Sequence, residues 1–216
     1  GEYSLDLLTY MFTGECDCDG AMLDECGICG GDGSSCCDSP VCLSIENVTD
    51  TPYCSNSLIS TQTICESAEA TWFTGSMDIH MTNQPGCTYY EGTTKMFSSI
   101  MTEAQCVAVP NSPGVWFDGN LGGFQFVIKR GSLTTYTNSV TSGSSLDLGY
   151  TVTLNPDWER DVGNDGTIDF SGSMVLGFSM TGTPMPPGEG SLVTVGFTGY
   201  TDDGICFEEL NCDGGC

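Results

Sequence analysis

The chain has 216 residues, of which 14 are cysteine, 29 glycine and 9 proline, and 29 acidic against 4 basic residues give a formal charge of -25. So acidic a surface excludes nucleic acid and anionic lipid as partners, because both need a positive face, and it favours cations. No apolar run is long enough for membrane insertion, and the even, high cysteine count implies an oxidising compartment with up to seven disulfides. The absence of a signal-like start suggests a mature secreted product or a fragment.

Residues 1–14 read as an N-terminal strand or extension. Tyr3, Leu5 and Leu7 share one parity, while Leu8, Tyr10 and Phe12 share the other, so both faces are apolar. An edge strand of the same molecule, a strand donated to a neighbouring subunit's sheet edge, and a short amphipathic helix all fit this pattern.

Residues 15–71 read as a cysteine-rich module. Cys16, Cys18, Cys26, Cys29, Cys36, Cys37 and Cys42 stand among glycines and aspartates with almost no large apolar residues, so covalent bonds or ions must hold the stretch. Cys26-x-x-Cys29 has zinc-ligand spacing, but the cysteines outnumber any one site, and disulfides are the better reading. Cys54 and Cys65 follow, and Asn47-Val48-Thr49 is a glycosylation sequon.

A degenerate repeat comes next. Thr61 to Cys65 leads to Trp72-Phe73-Thr74-Gly75, and Thr102 to Cys106 leads to Trp116-Phe117-Asp118-Gly119. The shared form is T-x-x-x-C, a spacer, then W-F-x-G, which suggests two small stapled loops or short helices, each with a Trp plugging an edge of the core. Met77, Ile79 and Met81 alternate with Asp78, His80 and Thr82 as in a strand, and residues 84–116 read as an insertion clipped by Cys87 and Cys106.

From Leu121 onward period-two alternation dominates. The expected dry faces are Phe124, Phe126 and Ile128; Leu146, Leu148, Tyr150, Val152 and Leu154; Met174, Leu176, Phe178 and Met180; and Val193, Val195 and Phe197. A last short strand spans Ile205 to Leu210, among Cys206, Cys212 and Cys216. Sheets with one dry face must cover each other, so residues 72–216 are expected to form an antiparallel β-sandwich.

Two resemblances sharpen this picture. The stretch ECDCDGAMLDECGICGGDGSSC resembles cysteine-rich repeats of surface proteins from marine bacteria and some marine viruses. Its second half resembles the end of the cysteine-rich domain in secreted metalloproteases with thrombospondin repeats. Asp17-Cys18-Asp19-Gly20, followed by Asp24, is similar to a calcium-binding thrombospondin type 3 repeat. The pieces GGFQFVI, VLGFSMTG, PPGEGSLVTVGF and GICFEEL resemble the cohesin-like β-sandwich family. That resemblance implies a jelly-roll of about nine strands. Cohesins bind dockerins, but no residue here singles out that interaction.

Calcium is the ligand expected first. Asp161, Asp165 and Asp169 fall at positions one, five and nine of a loop that resembles a dockerin or EF-hand loop, with Gly166 at six. The loop departs from that pattern at position three, where Gly163 displaces Asn164 to four, and at twelve, where Gly172 replaces an acid. Asp17, Asp19 and Asp24 form a second candidate set. Catalytic motifs are missing, and His80, the single histidine, sits mid-strand. The expected function is therefore non-catalytic: an extracellular structural protein at a cell or virion surface. It would assemble with copies of itself, or with other surface proteins, through strand and stapled-module contacts. The alternative is an adhesive or carbohydrate-binding module of a larger cell-surface protein, with glycans as partners.

Overall fold

Antiparallel pairing of alternating strands organises the chain. The computed structural model describes residues 39–129, 134–136, 138–161, 166–168, 170–199, 205 and 207. The N-terminal residues Tyr3 to Phe12, Asp17, Asp19, Asp24 and the cysteines from Cys16 to Cys37 lie outside the described residues, as do Asn164, Asp165, Asp169, Cys206, Cys212 and Cys216. In order, the elements are β1 (Val41–Thr49), β2 (Tyr53–Cys54), α1 (Gln62–Ser67), β3 (Trp72–Phe73), β4 (Gly75–Asn83), β5 (Gly86–Glu91), β6 (Thr94–Ser98) and α2 (Glu103–Val107). They continue with β7 (Val115–Phe117), β8 (Gly123–Lys129), β9 (Val140–Ser142), α3 (Ser144–Asp147), β10 (Tyr150–Arg160), β11 (Phe170–Ser179) and β12 (Gly188–Phe197).

The chain divides into two units. One holds the described residues 39–42 and Pro85–Phe117; the other holds Leu43–Gln84 and the described residues from Asp118 onward. Residues 43–71, which composition groups with the cysteine-rich stretch, thus lie with the long strands, because β1 hydrogen-bonds to β4 at the edge of the sheet β1-β4-β12-β9.

In the larger unit, β4 alternates as its sequence requires. Gly75, Met77, Ile79, Met81 and Asn83 are buried, and the residues between them are half-buried. The register sets Val193, Val195 and Phe197 of β12 opposite Ile79, Met77 and Gly75, so these side chains share the dry face. Gly75 has to be glycine: a Cβ there would lie 2.2 Å from the Thr49 carbonyl oxygen and 2.8 Å from the Phe197 ring.

The second sheet, β10-β11-β8, departs from expectation in two places. First, the strand expected from Leu146 starts only at Tyr150. Residues 144–147 form a helical turn between two glycines with left-handed backbone, Gly143 (φ +126°) and Gly149 (φ +78°). The Ser144 and Ser145 hydroxyls tie that turn to the carbonyls of Ser191 and Leu192, so Leu146 and Leu148 are left exposed. Second, the dry face of β11 has the opposite parity. Ser173, Val175 and Gly177 are buried, whereas Phe178 and Met180 are 37% and 75% exposed.

The reason is room. β11 is the central strand, and the aromatic rings come from its neighbours: Phe124 stacks on Phe126 (6.1 Å between centroids) and on Tyr150 (6.3 Å). Gly177 pairs with Phe124, and a Cβ on it would sit 2.2 Å from that ring. The small residues face inward because the rings of both flanking strands fill the space above them.

The repeat in the sequence is a repeat in three dimensions. In the first copy, Cys54 on β2 bonds Cys65 on α1, and Cys54 pairs across the ladder with Trp72, Tyr53 with Phe73. In the second, Cys87 on β5 bonds Cys106 on α2, and Cys87 pairs with Trp116, Gly86 with Phe117. Each copy is a strand, a one-turn helix carrying the second cysteine, and a returning W-F strand in the same register. All four cysteines are buried. Closing loops with sequence separations of 11 and 19 stabilises each module by about 3 kcal/mol, through the lost freedom of the unfolded chain. Cys42 is disulfide-bonded as well.

Candidate functional site

Three places in the described structure bear on function. The first is the acidic loop after β10. Asp161 ends that strand's run and its Oδ2 accepts the Gly166 N–H at 2.8 Å, closing loop position one onto position six. Gly166 adopts φ +87°, a conformation that L side chains rarely take. A position-one carboxylate folded over a left-handed glycine suits an oxygen-lined cation loop. Asn164, Asp165 and Asp169, which would complete the ligand set, lie outside the described residues. Among the described residues no group of three His, Cys, Asp or Glu side chains converges on a point.

The second is the outer face of the sheet of β1, β4 and β12. Asp78 accepts from Asn47 Nδ2 at 2.9 Å and from Thr194 Oγ1 at 2.7 Å. His80 is half-buried, with its Nδ1 3.7 Å from Glu46 Oε1. This is a cross-strand polar ladder on a half-solvated face. The sequon residue Asn47 is exposed, at φ +48°, and its side-chain nitrogen is the atom that holds Asp78. Nearby, burial pushes the Tyr53 phenol above its ordinary value of 10.0, with the Thr141 hydroxyl pulling weakly the other way. After β7 the Asp118 carboxylate is held below the usual range, because it accepts both the side-chain and the backbone N–H of Asn120.

The third is the outer face of β10-β11-β8. The register places Thr151, Phe178 and Gly123 in one row, Thr153, Leu176 and Gln125 in the next, and Asn155, Met174 and Val127 in a third, where Val127 is buried. None of the nine is charged, on a chain of formal charge -25. Alternation alone takes Met174, Leu176 and Phe178 for core, and so hides this face.

Trp72, Trp116 and Trp158 are all half-buried, the first two within the stapled modules. Clefts sit elsewhere among the described residues. One, of about 180 Å³, lies by Met81, Leu148 and Met185 in the larger unit. Another, of about 570 Å³, lies in the smaller unit between the β5–β6 hairpin and residues 109–112. No run of residues announces either one, since each is made by loops that meet only in the fold.

The fold and disulfides define a mainly β, antiparallel, disulfide-stapled protein of a non-cytoplasmic, oxidising environment. Among the described residues no helix is long and apolar enough to cross a membrane. No protein-family model matches the chain, and no curated protein or solved structure shows significant similarity to it.

Proposed function

We propose that this chain is a non-catalytic structural protein of a cell or virion surface that assembles with copies of itself. The observation that carries the reading is the acid-free set of rows on the outer side of β10-β11-β8, with Leu176 and Phe178 at its centre. Two molecules that each carry 25 net negative charges repel wherever their acids meet, and a face with none is where they can approach. Burying apolar side chains there contributes roughly 25 cal/mol per Å². The paired staples give each subunit the rigidity an assembly needs, since a stiff surface loses less freedom on docking. Residues 1–14 and the cysteine-rich stretch belong to the same reading as further contacts between subunits, and a cohesin-like jelly-roll is the sandwich arrangement proposed for the long strands.

Calcium in the 161–169 loop completes the proposal. The Asp161 to Gly166 bond favours it, and a divalent ion would offset part of the acidic charge as copies assemble. The test is the native size of the oxidised chain across a range of concentrations, with calcium and with a chelator. Assembly that grows with concentration and weakens on chelation is the expected result. A single-chain species under every condition would overturn the proposal.

A further inference from the structure

The two stapled modules share one register, so the first serves as a built-in reference for the second. They differ in length at two points. The disulfide of the second copy closes a separation of 19 residues against 11 in the first. From the helix cysteine to the tryptophan the second copy runs from Cys106 to Trp116, three residues more than Cys65 to Trp72. The first insertion makes the β5–β6 hairpin, turned tightly at Gly92 (φ +66°). The second lengthens the loop before β7. The cleft of about 570 Å³ is lined by residues 89–92 of that hairpin and residues 109–112 of the lengthened loop. Stapling does not require the added length, because the first copy is stapled without it. Segments added to a scaffold that is complete without them, and meeting at one cleft, are where binding function is placed.

From this we infer that the cleft binds a neutral, pyranose-containing saccharide. Its volume lies in the range of small-ligand sites, roughly 300–1,000 Å³. Tyr90 is 51% exposed, and Tyr89 is half-buried beside it. Pro110 adds a second apolar wall, and Glu91, Asn111 and Ser112 are exposed polar groups on the rim. A sugar ring presents the same two chemistries: an apolar C–H face that stacks on an aromatic ring, and a belt of hydroxyls that donate to a carboxylate or amide oxygen. No Lys, Arg or His lines the cleft and Glu91 stands on its rim, which disfavours an anionic ligand. A quaternary ammonium needs several converging rings, whereas Tyr89 and Tyr90 are adjacent on a strand and point to opposite faces. Asn111 supports the shape of the site, since its backbone is held at φ +68° at the cleft wall.

The inference does not depend on self-assembly, because the cleft and the uncharged face belong to different units. The experiment is calorimetric titration of the full oxidised chain with neutral hexasaccharides of glucose (β-1,3 and β-1,4), N-acetylglucosamine, mannose, xylose and galactose. Tetramethylammonium and a sulfated galactan hexasaccharide are titrated as comparison probes. At least one neutral sugar is expected to bind with a Kd of about 1 mM or tighter. Tyr90→Ala and Asn111→Ala should each weaken it about tenfold with an unchanged circular dichroism spectrum, and Tyr90→Phe should keep it. Should Tyr90→Ala fail to fold, Glu91→Gln and Asn111→Ala carry the same test. Silence across the neutral panel, binding only of the ammonium or the sulfated probe, or sugar binding untouched by these substitutions would overturn the inference.

Discussion

Gly177 and Phe124 show how one residue without a side chain sets the parity of a strand. The Phe124 ring occupies the space that a Cβ at 177 would need. Gly177→Ala therefore displaces a ring that bridges Phe126 and Tyr150, and overpacking of this kind costs about 1–3 kcal/mol. The expected result is a lowered midpoint in chemical denaturation, with the slope unchanged. Gly114 is its counterpart in the second module, where a Cβ would lie 2.5 Å from the Cys87 sulfur. Tyr53 gives a second prediction at this scale. Its phenol is raised above 10.0 by burial, so the folded state holds the proton more tightly than the unfolded one. The stability that follows is fully present below pH 10 and is lost as the pH rises through the raised value. Tyr53→Phe should flatten the decline of stability above pH 10 measured by denaturant titration; an equally steep decline in the variant would show that the phenol does not titrate on unfolding.

The element scale separates what the chain displays from what only packing decides. β4 was legible because its apolar set is all on one parity and its polar set on the other. β11 was not, since Met174, Leu176 and Phe178 outrank Ser173, Val175 and Gly177 in hydrophobicity, while the space above the strand favours the smaller set. Leu146 and Leu148 fit period two, and only the backbone freedom of Gly143 and Gly149 turns that stretch into a helix. In the modules, T-x-x-x-C and W-F-x-G were visible, but the partner cysteines Cys54 and Cys87 lie upstream at different spacings, so the shared register appeared only in the ladders. In the acidic loop the sequence marked positions one and six, and the bond from the Gly166 N–H to Asp161 came only from the fold. The two helices of the modules offer a direct comparison. Thr102 and Gln105 form a reciprocal capping box, with the Thr102 N–H donating to Gln105 Oε1 at 2.9 Å. Thr61 makes no side-chain cap, and Ile64 at position three of its helix has no polar group to return a bond to the Thr61 N–H. Thr102→Ala should cost about 1 kcal/mol and Thr61→Ala much less, read from the two thermal midpoints. Equal losses would contradict the difference in capping.

At the scale of the whole molecule, charge is the organising fact. A formal charge of -25 makes copies of the chain repel where their acids meet. The three paired rows on the outer side of β10-β11-β8 hold no acid, and the inward turn of Ser173 and Gly177 is what leaves Phe178 exposed and Leu176 half-buried there. In the proposed reading, core packing and assembly are coupled through one strand: the parity that makes room for the rings of Phe124 and Tyr150 also displays the proposed contact surface. The most direct measurement is sedimentation velocity of the oxidised wild-type chain beside Leu176→Glu, at equal concentration and physiological salt. The account predicts that the wild type sediments as an assembly and that the variant, with an unchanged β-rich spectrum, sediments as a single chain. Assemblies of the same size from both proteins would contradict it.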